Sequence, residues 1–351
     1  MEFALGHRPW VNYAAVPSLR YPDDHRAALV ISADFELGWG WRYARVADPP
    51  GLARQKARQG RRNLGWLLDV CDHYQLPITW ATVGHLLLEG CPHAPGPAHP
   101  ELPRVPHFRN PWWSHLSGDW FDADPRRAGP AEADWETWYA PDLVRAILSR
   151  PTPHELGCHT FSHVPFTDQH CPAEVAAAEL RRCQDVAGTW GQALRSFAFP
   201  ANLAGNLASL RDAGFTAYRC DARYELDVAR RDALGMWAIP GGMCLERPYT
   251  SWTGRQYAAL AKRFIDQAIE LGLVASLWFH PEAHADDLEE VLIEVAAHIH
   301  SRRSELWITT MGEMASRLSS ESEQAADRRR AAIVPDRVGP PPAELAHGAA
   351  G

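Results

Sequence analysis

No stretch of the sequence approaches the ~20 consecutive apolar residues that a helix needs to cross a bilayer, so a membrane span is not expected. The opening residues lack a basic segment running into an apolar core, and Pro9, Pro17 and Pro22 interrupt any helix there. A secretory leader is therefore not expected either. Also missing is a basic stripe: the formal net charge is -8 and Lys and Arg are scattered, which argues against nucleic acid as a partner. The 7 cysteines contain no CxxC pair and several lie in apolar segments, so they read as reduced, buried thiols of a cytoplasmic protein. No internal repeat is visible. What remains is a chain of 351 residues, 46% hydrophobic, able to bury one large core.

What is present is an alternation of short apolar or β-branched runs with longer stretches in which apolar residues recur three or four apart. Strands are expected at 27–35, 78–84, 154–160, 196–201, 216–220, 236–240, 274–280 and 305–310, and helices near 53–75, 173–189, 204–213, 254–272 and 286–302. Pro172 and Gly272 mark a helix start and a helix end. This is the pattern of βα units around a parallel sheet, an α/β chain with a complete or distorted barrel. The barrel is expected over residues 26–318, after an extension at 1–25. Residues 91–140, rich in Pro, Trp and His, break the rhythm and read as an insertion over the strand ends. Residues 319–351 are polar and Pro/Ala-rich and are expected to form a disordered tail.

Side chains alternate along a strand, so Asp34 and Glu36 in Ser-Ala-Asp-Phe-Glu project to the same side of the first strand's C-terminal end. Two buried carboxylates in one place call for a cation between them or a raised pKa on one. The third expected strand runs into His159-Thr160-Phe161-Ser162-His163, which brings two imidazoles within reach of one ion. Imidazole nitrogen with carboxylate oxygen suits Zn²⁺ or a similar divalent metal, and three protein ligands leave a position open for water. Among 17 histidines a single HxxxH spacing arises easily by chance. Placement gives it weight: the acidic pair, HTFSH and the Trp278-Phe279-His280-Pro281 segment each end an expected strand, on the rim where parallel barrels build active sites.

With these residues assembled, the chain resembles the polysaccharide deacetylase family (NodB homology, carbohydrate esterase family 4) over roughly residues 26–315. HTFSH matches that family's H-[ST]-x-x-H metal motif. The resemblance implies a distorted (β/α)7–8 barrel of NodB type and metal-dependent removal of an acetyl group from a sugar. One divalent ion is implied, with Zn²⁺ as the expected metal. Carried over by position, Asp34 is the catalytic base, Glu36 the acidic metal ligand, His159 and His163 the metal histidines and His280 the general acid. Two departures stand out. The first motif has Glu36 two residues after Asp34 in place of adjacent aspartates, and the segment resembling F-R-x-P-Y is Phe197-Ala198-Phe199-Pro200-Ala201, without its arginine.

Arg219, on the following strand, is a candidate to supply the missing cation, and Asn202 a candidate hydrogen-bonding group to base or substrate. Asp221 is a candidate to orient His280. The chain has 15 tryptophans, and Trp39, Trp41, Trp112, Trp113 and Trp120 fall in segments expected to border the site. Aromatic faces pack on sugar rings, so Trp39 and Trp41, with Asn202 and Arg219, form the expected substrate-binding set. Nothing in the spacing of His107 and His115 singles them out. The resulting expectation is a hydrolase acting on a carbon–nitrogen bond other than a peptide bond, an N-deacetylase of an amino sugar or sugar-containing metabolite. An amide or ureide hydrolase of a small non-sugar molecule and a catalytically dead carbohydrate-binding barrel are the alternatives.

Overall fold

The computed structural model describes residues 9–11, 21–92, 95–125, 134–220, 224–246 and 252–321. The architecture rests on strands β1 (Ala27–Phe35), β2 (Thr79–Thr82), β3 (Glu155–Cys158), β4 (Ser196–Ala198), β5 (Ala217–Arg219), β6 (Trp237–Ile239), β7 (Met243–Cys244), β8 (Val274–Phe279) and β9 (Leu306–Thr309). Across the sheet the order is β6-β5-β4-β3-β2-β1-β8-β7, all parallel, and an antiparallel pair at Arg230–Arg231 flanks β6. No ladder joins that flank to β7 among the described residues, whose sheet forms a curled, distorted α/β barrel.

Every residue of β1 is buried, as its near-continuous apolar run requires of a strand covered on both faces. One edge of β1 pairs with β8 along Ala28–Ala33. Its other edge is shared: β9 pairs with Ala27–Val30, and β2 takes over at Ser32–Phe35. Beyond this change of partner Asp34 lies in register with Ala81 of β2, at the rim end of β1. Helices α1 (Pro49–Tyr74), α2 (Pro141–Leu148), α3 (Ala173–Thr189), α4 (Leu207–Asp212), α5 (Gly254–Leu271) and α6 (Ala285–Ser301) supply the crossovers.

Helix α5 illustrates the local logic. Thr253 and Gln256 form a reciprocal capping box at its start, and Gly272 ends it at φ 72°, a left-handed conformation that glycine adopts without a Cβ penalty. Between them Tyr257, Leu260, Ala261, Phe264, Ile265 and Ala268 face inward at helical spacing. Each large side chain of this kind contributes about 1.5–3 kcal/mol of burial. Helix α1 begins four residues before the sequence pattern suggests, because Pro49 and Pro50 fit a first turn and the Asp48 side chain accepts from Gly51 N at 2.9 Å.

The insertion carries more order than its composition suggests. It holds a short hairpin, Phe108–Arg109 with Ser114–His115, and the helical turn Trp135–Trp138 leads into α2, which the sequence pattern did not reveal. Trp113 Nε1 donates to Gly40 O at 3.1 Å, which ties this segment to the turn after Glu36. The chain divides into Met1–Ala315 and a second unit, Ser316–Gly351, of which residues 316–321 are helical. The expected extension at 1–25 and tail at 319–351 lie for the most part outside the described residues. No helix among the described residues is long and apolar enough to cross a membrane.

Candidate active site

Glu36, just past the end of β1, is the centre of the site. Its Oε1 lies 3.1 Å from His159 Nε2, 3.2 Å from His163 Nε2 and 3.5 Å from His280 Nε2. His159 Nδ1 sits 2.8 Å from Ala198 O, and a carbonyl only accepts, so Nδ1 carries the proton and Nε2 offers its lone pair toward Glu36. His163 Nε2 is buried and makes no hydrogen bond among the described residues. Bare imidazole nitrogens converging on a carboxylate oxygen make a cradle for a cation. Glu36, His159 and His163 thus fit a divalent metal, with nitrogen and oxygen donors and a side open to the cleft.

The loop geometry is specialised to that end. Thr160 (φ 61°) and His163 (φ 56°) both adopt left-handed backbone, costly for a β-branched residue, and the turn brings His163 back over Glu36. Glu179 of α3 clamps it, accepting from Ser162 N at 2.8 Å and Ser162 Oγ at 2.7 Å. Gly40 is required on steric grounds, since a Cβ there would fall 1.7 Å from Glu36 Oε2.

Asp34 stands beside this cluster in a separate clamp. Arg219 donates to Asp34 Oδ1 at 2.8 Å and Oδ2 at 2.6 Å, and also to Ser32 Oγ at 2.9 Å and Asn202 Oδ1 at 3.0 Å. Burial raises the Asp34 pKa, but the Arg219 guanidinium, followed by His159, outweighs it and holds the carboxyl below its ordinary range. Asp34 is thereby kept as a carboxylate next to the metal cradle. His280, after β8, is oriented by Glu246: Nδ1 lies 2.6 Å from Glu246 Oε1, which also accepts from the His280 backbone N–H at 2.7 Å. Burial lowers its pKa, yet Glu246 and then Glu36 overcome this and hold His280 well above the ordinary imidazole value. Glu36 itself is pushed up by burial and brought well below its ordinary value by the surrounding imidazoles, His163 foremost. Behind it, Glu282 accepts from Glu36 N at 3.1 Å, and burial with the nearby Glu36 charge pushes its carboxyl up to about 8.

Asp34, Glu36, His163, His280, Asn202 and Trp41 all line one cleft of about 430 Å³, together with Trp112 and Trp113 of the insertion. Two members of the expected substrate-binding set are placed differently. Trp39 is 1% exposed, its Nε1 donating to Trp138 O at 3.0 Å, because the tight turn after Glu36 aims it into the core. Arg219 is 1% exposed and committed to Asp34, so it holds that carboxylate and does not face the cleft. Its guanidinium supplies from β5 what Ala198 lacks. Asp221 lies outside the described residues, and Glu246 is the partner of His280. His115 packs against Tyr43 and Trp120, with His107 beside it, and neither lines the cleft.

Glu246, Glu282 and Glu179 escaped the sequence reading because their partners are distant in the chain and no spacing advertises them. Gly40 had a signal: Gly-Trp-Gly-Trp directly after the acidic pair, where close approach of backbone to a site selects for a missing Cβ.

No family model matches the chain, and no curated protein matches it in sequence. Solved structures do match it. A Mycobacterium smegmatis protein assigned as a polysaccharide deacetylase aligns at TM-score 0.58 and 13% identity, covering 93% of this chain and 98% of that one. A Pseudomonas aeruginosa PAO1 protein assigned in the same way gives TM-score 0.57 and 15% identity over 85% and 92% of the two chains. Puue allantoinase gives 0.55 and 15% over 88% and 96%. The chain has the distorted NodB-type barrel of the polysaccharide deacetylases it matches. At these identities the likeness speaks for the fold, and the activity has to be argued from the site.

Proposed function

We propose that the chain is a metal-dependent hydrolase that removes an N-acetyl or similar acyl group from an amino sugar or sugar-containing metabolite. One observation carries this reading: a carboxylate clamped by arginine and an imidazolium clamped by glutamate flank a cradle of Glu36, His159 and His163, and Asp34, His280, Glu36 and His163 share the wall of one cleft. A divalent ion held there, with Zn²⁺ the best match to the donors, supplies Lewis acidity at the acyl carbonyl and acidifies water. Asp34, ionised and within the cleft, accepts the proton of the attacking water. His280, protonated on account of Glu246, delivers a proton to the departing amine nitrogen, which is otherwise a poor leaving group. Arg219 holds Asp34 in orientation and keeps it ionised, ready to take a proton. Trp41 and Trp112 offer aromatic faces to a sugar ring.

The cleft lies in the ~300–1,000 Å³ range of small-molecule pockets, which supports one or two rings as the substrate. Seven free thiols suit a reducing compartment, so a cytoplasmic acylated sugar is the substrate to try first. Small amides and ureides are the second class, favoured by the same compact cleft. Acetate release from N-acetylated sugars and disappearance of amides and ureides, each with metal-loaded protein, test the reading. Turnover of neither class, together with an Asp34→Asn variant indistinguishable from the parent, overturns it and leaves a barrel that only binds.

A further inference from the structure

A second cluster of ligand-bearing side chains shares no residue with the Glu36 cradle. His85 follows β2 in the short helical turn Gly84–Leu87, and Cys91, His99 and Asp124 all come from the insertion. All four are buried, at 0%, 7%, 6% and 5% exposure respectively. Their ligand atoms face one another. His85 Nε2 lies 3.1 Å from His99 Nε2, 3.2 Å from Asp124 Oδ2 and 3.4 Å from Cys91 Sγ; His99 Nε2 lies 3.2 Å from both Cys91 Sγ and Asp124 Oδ2. Tetrahedral coordination at bond lengths of about 2.0–2.3 Å places ligand atoms roughly 3.3–3.7 Å apart. The observed separations are those of a slightly contracted tetrahedron.

Proton counting separates this arrangement from an ordinary hydrogen-bond network. His85 Nδ1 lies 3.0 Å from Trp138 O, a pure acceptor, so Nδ1 carries the proton and Nε2 is a bare lone pair. His99 Nδ1 faces Glu101 Oε1 at 3.4 Å, leaving its Nε2 turned to the cluster. Asp124 Oδ1 already accepts from Tyr139 OH, and Oδ2 points at both imidazoles. Two imidazole nitrogens, a carboxylate oxygen and a thiol sulfur therefore converge in one buried pocket. Acceptors held this close in a sealed pocket repel unless a cation lies between them.

We propose that His85, Cys91, His99 and Asp124 hold a second divalent metal ion, Zn²⁺, in a closed structural site that fastens the insertion to the barrel. Mixed nitrogen, thiolate and carboxylate donors suit zinc, and four protein ligands leave no position for water. On binding, the Cys91 S–H bond breaks and its proton leaves to solvent; thiolate and carboxylate charges then cancel the ion's +2, which a buried site demands. Trp138 O, Glu101 and Tyr139 OH act as the outer partners that fix ring orientation and carboxylate geometry. Trp39 ties the site to the catalytic turn: its ring packs against His85 at 4.4 Å and its Nε1 shares the Trp138 carbonyl.

The test uses the full chain, stripped of metal and reconstituted with Zn²⁺ or Co²⁺ alone. Elemental analysis is expected to give two zinc ions per parent chain, one in His163→Ala and one in Cys91→Ser. Only the insertion cluster contains a thiol, so Co²⁺ protein is expected to show a near-ultraviolet thiolate-to-cobalt charge-transfer band that survives His163→Ala and is lost in Cys91→Ser. Should Cys91→Ser fail to fold, the band in the parent and in His163→Ala still decides. No such band in the folded parent, or zinc stoichiometry in Cys91→Ser equal to the parent's, overturns the proposal. Loss of metal through His163→Ala with the band intact bears on the catalytic cradle alone, so the two sites fail separately.

Discussion

The Glu36 cradle and the His85 cluster are built from the same side-chain chemistry and come out as opposites. Around Glu36 two imidazoles and one carboxylate meet beside an open cleft, and a divalent ion there carries a net positive charge toward whatever enters. Around His85 a thiolate takes the fourth position, the charges cancel and the pocket is shut. Left-handed backbone at Thr160 and His163 shapes the first, whereas Tyr139, Trp138 and Trp39 crosslink the second from outside. An unfilled coordination position, more than ligand identity, thus separates a reactive metal site from an architectural one.

That contrast can be broken from either side. The largest effect is expected from Asp34→Asn, which leaves both ligand sets intact and removes the base; turnover should fall about 10²–10⁴-fold with zinc content unchanged. Steady-state kinetics beside elemental analysis measures both. Next comes Arg219→Met, which leaves a buried carboxylate unpaired and should lower unfolding free energy by about 3–5 kcal/mol in denaturant titration. The sign with pH comes from Asp34's depressed pKa: its stabilisation holds above the ordinary carboxylate range and fades as pH falls through the lowered value. Without Arg219 the acid limb of the rate profile should therefore move to higher pH.

Cys91→Ser should act on the wall of the cleft, where Trp112 and Trp113 of the insertion sit, by loosening their anchor. A KM raised several-fold with kcat within a factor of about three is the expected split, in keeping with lost uniform binding. The smallest change is expected in Glu246→Gln. His280 owes its raised pKa to Glu246, and its ion pair is complete below the ordinary imidazole value and lost as pH climbs through the elevated one. With the carboxylate replaced, the alkaline limb should shift to lower pH while the maximal rate changes little. An unmoved limb assigns the proton donor elsewhere.

The strand plan was readable because buried parallel strands leave continuous apolar runs, and each of the eight expected segments contains a strand within its limits. Asp34, Glu36, HTFSH and His280 were readable because rim residues come directly after those runs. Trp39 was misplaced as a substrate contact because strand alternation ends at Phe35, and Leu37 at φ 49° starts a turn that sends the next side chains in new directions. The His85 cluster was invisible for a different reason. Its members are 6, 8 and 25 residues apart from one another or from a neighbour in space, with no repeated spacing, and only the folded insertion brings them together. Helix α2 hid in the same way behind a Trp- and Pro-rich approach.

The divided edge of β1 has a consequence for biogenesis. Ala27–Val30 is covered by Leu306–Thr309, so the segment that leads into Asp34 and Glu36 waits for a strand far later in the sequence before this neighbour arrives. A nascent chain stalled short of residue 306 would present bare, apolar backbone there, an invitation to mispairing. Docking of Leu306–Thr309 thus doubles as a checkpoint: the acid-bearing strand is sealed along Ala27–Val30 only when that strand is in place.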